Sequence, residues 1–188
     1  MPLETRLTVA IIGAGPLGRW LALSAARAGF RVLLEDVMPS NLHHAQEYIR
    51  QELNSEALGA ASSFPVAFVS TIEDAVRDAG LVIDCVPDEL ESKLEILWLL
   101  DRMAPPHAVF ATPTLNLSIA DLAGCTYRPG QCIAIALSPS ALAGLDAKTG
   151  SGLVLRAAPA TTPATISLVI DFWRQLGFQA VCDAAAAE

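Results

Sequence analysis

Leu7-Thr-Val-Ala-Ile-Ile-Gly-Ala-Gly-Pro-Leu-Gly18 runs an apolar, β-branched strand straight into the pattern Gly13-x-Gly15-x-x-Gly18. A strand that feeds a glycine turn opening a helix places unpaired backbone N–H groups and the positive helix end where a pyrophosphate can sit. Gly13 allows the tight turn, Gly15 removes a side chain that would block phosphates, and Gly18 lets helix and strand pack closely. Pro16 suits the first helical turn, because its missing N–H has no partner inside the helix. Pro16 and Leu17 complete the loop. Spaced glycines alone are a weak signal. The strand before them, the helical stretch after them and an acidic pair at the next strand end make it a strong one.

Outward from this unit, strand and helix patterns alternate to the end of the chain. Strands are expected at Leu7–Ile12, Arg31–Glu35, about Val66–Val69, Leu81–Cys85, His107–Ala111, Cys132–Leu137, Leu153–Arg156 and Phe178–Cys182. Between them, helices are expected at Pro16–Ala28, about Asn41–Ala57 with Ser40 as N-cap, from Thr71 to Asp78, from Pro87 to Arg102, around Ser118–Ala123, and at Pro163–Leu176. Thr71 with Asp74 resembles a capping box. Leu94, Leu97, Trp98 and Asp101 recur at helical spacing, which assigns Trp98 to the core. Ser138–Gly152 reads as a loop. The alternation predicts an α/β fold: a Rossmann-type, doubly wound, mostly parallel sheet of about eight strands with helices on both faces.

The chain has 188 residues, enough for a single domain with a substantial core. Hydrophobic residues make up 53% and mean hydropathy is +0.44, as expected where a parallel sheet is buried on both faces. The same apolar excess predicts a surface covered by a second copy, hence a homo-oligomer. Net charge is −8, from 12 Lys and Arg against 20 Asp and Glu, and no basic stripe exists to hold a nucleic-acid backbone. Nothing approaches a membrane span. The short charged N-terminus has no signal core. Cys85, Cys125, Cys132 and Cys182 lack metal-ligand spacing; three lie in apolar strand contexts and read as buried thiols, so no metal is expected and a cytoplasmic setting fits.

Glu35 and Asp36 end the second strand, with Asp36 lying 18 residues beyond Gly18, where a carboxylate accepts from adenosine ribose hydroxyls. Their charge would repel a 2′-phosphate, and Val37-Met-Pro-Ser40 contains no Arg or Lys to hold one. The expected cofactor is therefore NAD(H) rather than NADP(H).

Beyond the glycines, Val32-Leu-Leu-Glu-Asp36, Ala79-Gly-Leu-Val-Ile-Asp-Cys-Val-Pro-Asp-Glu-Leu-Glu-Ser-Lys93, Pro105-Pro-His-Ala-Val-Phe-Ala-Thr-Pro-Thr-Leu-Asn-Leu-Ser-Ile119 and Leu176-Gly-Phe-Gln-Ala-Val-Cys-Asp183 continue the pattern. Together they resemble the NAD-binding domain of 3-hydroxyacyl-CoA dehydrogenases over essentially the whole chain. The resemblance implies a cofactor-binding set of Gly13, Gly15, Pro16, Leu17, Gly18, Glu35, Asp36, Val86, Pro87, Asp88, Lys93 and Thr114. Asp88 and Lys93 are expected near the nicotinamide-side ribose; read alone, Asp88 begins a helix and Lys93 sits on its solvated face.

The resemblance breaks at the chemistry. Oxidising a secondary alcohol needs a base for the hydroxyl proton. The family's catalytic histidine falls on Ala136 and its partner glutamate near Val154. Of an Asn-Thr-Ser-Ser run that supports substrate, only Thr114 is retained within Pro113-Thr-Leu-Asn116. His43 and His44 lie toward the adenosine half and His107 at the opposite end of the sheet; Asp146 and Lys148 are the nearest ionisable substitutes. The family also continues into a helical substrate and dimerisation domain, whereas this sequence ends at Glu188, so residues 1–188 are expected to form one NAD-binding domain without it. The expected function is NAD(H) binding with no catalytic residue assigned. The alternatives are an active oxidoreductase on a 3-hydroxyacyl-CoA or related hydroxy acid, using other residues or a partner domain, and a different Rossmann dehydrogenase altogether.

Overall fold

Val9, Ile11 and their neighbours in β1 (Thr8–Ile12) leave no room for water, because β1 lies between β2 (Arg31–Glu35) and β4 (Leu81–Asp84), parallel to both. The structure, a computed structural model, describes residues 7–55, 66–138, 140–141 and 152–183. The remaining strands are β3 (Ala67–Val69), β5 (Val109–Pro113), β6 (Cys132–Ile135), β7 (Gly152–Ala157) and β8 (Gln179–Asp183). They form one sheet in the order β3-β2-β1-β4-β5-β6-β7-β8. Among the described residues only the β6–β7 pairing is antiparallel. The doubly wound, mostly parallel α/β sheet expected from the alternation is what the chain forms.

Alternation along the strands sorts side chains onto two helical layers. Val9, Ile11, Val32, Leu34 and Ile133 face α1 (Pro16–Arg27), α2 (Pro39–Ser55) and α6 (Pro163–Gln175). Ala10, Ile12, Val82, Phe110 and Ala134 face α3 (Ile72–Val76), α4 (Leu90–Met103) and α5 (Ile119–Gly124). On the first face, Trp173 is fully buried and stacks edge-on with Phe172 and Phe178 at centroid separations of 5.3 and 5.6 Å. On the second, Arg128 ties the α5–β6 connection to the end of α4. Its guanidinium donates to Asp101 Oδ1 at 2.7 Å and to the Asp101 carbonyl at 2.6 Å, and lies over the Phe110 ring.

Several local expectations change. α2 begins at Pro39, so Ser40 is not its cap: the Met38 carbonyl already accepts from Leu42 N–H, and a proline is well placed at the first helical position. Thr71 does cap α3, accepting from Asp74 N–H, while its hydroxyl donates to the Asp74 carboxylate. β5 starts at Val109 rather than His107, because Ala108 N–H closes a turn on the Pro105 carbonyl. β6 stops at Ile135, where Leu137 N–H turns back onto the Ile135 carbonyl. Trp98 is not core. The inward stripe of α4 is Lys93, Ile96, Leu97 and Leu100, and one step past Leu97 rotates Trp98 outward. It is 50% exposed, with Arg102 stacked 4.7 Å from the ring centroid. Most of the Ser138–Gly152 loop lies outside the described residues.

Candidate dinucleotide-binding site

Gly13 leaves β1 with φ +101°, a left-handed conformation that favours glycine, and donates its N–H to the Glu35 carbonyl at 2.8 Å. Gly18 follows in the first turn of α1, so close to the loop that an added Cβ would stand 1.8 Å from the Gly13 carbonyl oxygen. Gly15 differs from both. Its φ is −66°, which any residue adopts, and an added Cβ would meet nothing within 4 Å. The open side of Gly15 is therefore a volume that a Cβ would fill. It lies at the start of α1, which has no side-chain cap and no acid in its first turn. Unpaired N–H groups and the helix dipole face that volume, and an anionic pyrophosphate fits both. Pro16 is exposed at this entrance; Leu17 turns its side chain into the core and contributes backbone only.

The two acids at the end of β2 have separate environments. Asp36 accepts from Ala14 N–H at 2.9 Å and Asn41 Nδ2 at 3.0 Å through one oxygen, and from Met38 N–H at 2.8 Å through the other. It braces the glycine loop and holds a carboxylate beside it. Glu35 is buried, and its Oε1 has no hydrogen-bond partner among the described residues. Burial, then the charge of Asp36, pushes the Glu35 carboxyl up to about 7.

That shift sets a pH dependence. Above about 4.5 an unfolded Glu35 has released its proton, while the folded one keeps it to about 7. The native state binds the extra proton, so this group makes stability fall as pH rises through that window and leaves it lowered above. Glu35→Gln removes the effect. Its unfolding free energy is expected to match the parent at pH 5 and to exceed it at pH 8 by on the order of 1–3 kcal/mol, read as a higher midpoint. An equal midpoint at pH 8 would show that Glu35 ionises without cost.

At the other end of the cleft, the segment after β4 and the one after β5 are joined. Asp88 Oδ2 accepts from Leu115 N–H at 3.0 Å, and Asp88 Oδ1 is enclosed without a partner. Val86 is half-buried against the α4 layer and Pro87 is exposed at the turn. Thr114 is wholly buried: its N–H donates to the Ile135 carbonyl and its hydroxyl accepts from Leu117 N–H. Lys93 is on no solvated face. It is fully buried, with Nζ 2.5 Å from Asp84 Oδ1. Its ammonium is paired inside, and the pair fixes α4 on β4.

The positions where a histidine and a glutamate were expected are adjacent. Ala136 N–H donates to the Val154 carbonyl at 2.9 Å, and both side chains are aliphatic. Among the described residues, no histidine stands in for them. His43 and His44 are exposed on α2, and His107 is exposed ahead of β5, at the far end of the sheet. Asp146 and Lys148 lie outside the described residues. All four thiols are free and shifted upward, Cys132 to about 11, with burial as the main cause, so none is an activated nucleophile. Among the described residues no cluster of metal ligands occurs, and no helix is long and apolar enough to cross a membrane. Two polar residues escaped the sequence reading: Asp84, whose signal was a lone acid ending the apolar run Leu81-Val-Ile, and Arg156, a lone cation in β7.

With this geometry in place, comparison with known proteins gives a consistent result. The sequence model of the family described as "3-hydroxyacyl-CoA dehydrogenase, NAD binding domain" matches residues 8–142. A probable 3-hydroxybutyryl-CoA dehydrogenase of Bacillus subtilis is 32% identical over 133 residues, covering 66% of this chain and 46% of the relative. A lambda-crystallin homolog of Bos taurus is 29% identical over 179 residues, covering 90% and 54%. The solved (S)-3-hydroxybutyryl-CoA dehydrogenase of Ralstonia eutropha superimposes with a TM-score of 0.81 at 20% identity, over 95% of this chain and 63% of that one, a likeness of fold. The chain spans about half the length of the curated relatives it matches.

Proposed function

The chain belongs to the 3-hydroxyacyl-CoA dehydrogenase family, whose NAD-binding domain it carries, and from that premise we propose that it binds NAD(H) without turning over a hydroxyacyl substrate on its own. NAD is the cofactor of this domain. In the proposed site, the first turn of α1 around Gly15 takes the pyrophosphate and Asp36 takes the adenosine ribose. Val86, Pro87, Asp88 and Thr114 line the nicotinamide end, with Lys93 behind them on Asp84. When bound, the dinucleotide supplies a hydride acceptor or donor; the chain's own residues hold and orient it.

The observation that carries the reading is the hydrogen-bonded pair Ala136–Val154. A methyl and an isopropyl group accept no proton, so these two positions supply no base for hydride transfer. Association through an apolar face belongs to the same reading. Val154 and Val181 are register partners on β7 and β8, 41% and 57% exposed. A cytoplasmic setting accords with the four free thiols.

The test measures two quantities on one preparation. NADH titrated by fluorescence is expected to bind saturably, while 3-hydroxybutyryl-CoA with NAD is expected to give no NADH above background. Turnover at a rate typical of enzymes, about 1–1000 per second, would overturn the non-catalytic reading and favour an oxidoreductase with a different base.

A further inference from the structure

The Thr112, Ala134 and Arg156 positions are in register across β5, β6 and β7, so their side chains share the α4–α5 face of the sheet. Val154 lies two residues from Arg156 on the same face of β7. From this row the Arg156 guanidinium reaches the cleft end: Nη2 donates to the Thr114 carbonyl at 2.7 Å. In this row, two buried polar atoms have no partner among the described residues. The Arg156 Nε is enclosed without an acceptor, and the Thr112 hydroxyl, 1% exposed, likewise has no partner.

Among the described residues, none of the ion pairs formed by arginine or lysine involves Arg156. The acids of this end are engaged elsewhere: Asp84 with Lys93, and Asp88 with Leu115 N–H. A half-buried guanidinium without a counter-ion is costly unless an anion joins it. Holding the Thr114 turn would need one neutral donor; a forked cation offers more than that.

We infer that Arg156, with the Thr112 hydroxyl in the same cross-strand row, receives the carboxylate of a small organic acid at the nicotinamide end of the cleft. This rests on the reading of the cleft as the dinucleotide site and gives it a ligand class. A free hydroxy or oxo acid presents a carboxylate where a CoA thioester presents none. The guanidinium fork accepts such a group through two parallel N–H···O bonds.

Calorimetry with acetoacetate as probe tests the assignment, on the NADH-saturated protein and on the protein alone. Saturable binding is expected, weakened about tenfold or more in Arg156→Gln and less in Arg156→Lys, which keeps the charge but loses the fork. Arg156→Gln still donates a hydrogen bond to Thr114, and circular dichroism checks that both variants fold. Absence of acetoacetate binding, equal affinity in Arg156→Gln, or equal competition by inorganic phosphate would each overturn the carboxylate site. A separate NADH titration keeps the two readings apart. Arg156-dependent acetoacetate binding without NADH binding would retain this site and remove the dinucleotide reading; NADH binding without acetoacetate binding would do the reverse.

Discussion

Gly15→Val is expected to abolish NADH binding, at least about a hundredfold in Kd, while the protein stays folded. Both halves follow from the same two facts. The backbone at Gly15 has φ −66°, where valine is unstrained, and a Cβ there would touch no protein atom. Stability should therefore fall only by the loss of a favourable N-cap residue, about 1 kcal/mol. The space the isopropyl group enters is where the phosphates must approach the α1 N–H groups, and losing that approach removes the charge-assisted hydrogen bonds of the site. Gly18→Ala provides the contrast. Its Cβ would overlap the Gly13 carbonyl at 1.8 Å, a backbone atom that cannot swing aside, so this smaller change should disrupt the strand–turn–helix unit itself. Fluorescence titration together with thermal melting reads both variants. Unchanged NADH affinity in Gly15→Val would remove the phosphate-loop assignment.

The same glycines explain why so much of the fold was legible in advance. A parallel sheet buried on both faces needs nearly continuous apolar strands, and Thr8–Ile12, Leu81–Asp84 and Cys132–Ile135 declare themselves by composition alone. Which side of a helix faces inward is a finer matter. Leu97 and Trp98 are adjacent and both apolar, and only the packing of α4 on β4 and β5 decides that one is buried and the other carries Arg102. In the site, Asp36 was recognisable from its place at a strand end. The separate fate of Glu35 was not, because it depends on a partnerless oxygen inside the sheet. Arg156 illustrates the limit best: its reach to Thr114 joins residues 42 apart in the chain, a contact no local pattern announces.

Lys93→Met is expected to destabilise the protein by about 3–5 kcal/mol, because it leaves the Asp84 carboxylate buried with no cation. Asp84 is 1% exposed, its Oδ1 lies 2.5 Å from Lys93 Nζ, and its Oδ2 already lacks a partner. Methionine fills much of the lysine volume, so the loss would measure the orphaned charge rather than a cavity. The double variant Asp84→Asn with Lys93→Met should recover most of the deficit, since an amide costs far less to bury than a lone carboxylate. Denaturant midpoints of the parent, the two single variants and the double variant give the coupling. Near-additive losses would mean that the pair is not the unit of stability drawn here. If the pair behaves as expected, weaker NADH binding in Lys93→Met would follow from a displaced start of α4, and the double variant should regain affinity along with stability. A Lys93 that touched the dinucleotide directly would behave differently: the double variant would regain stability but not affinity. One set of four proteins thus separates a lysine that shapes the cleft from a lysine that contacts what lies in it.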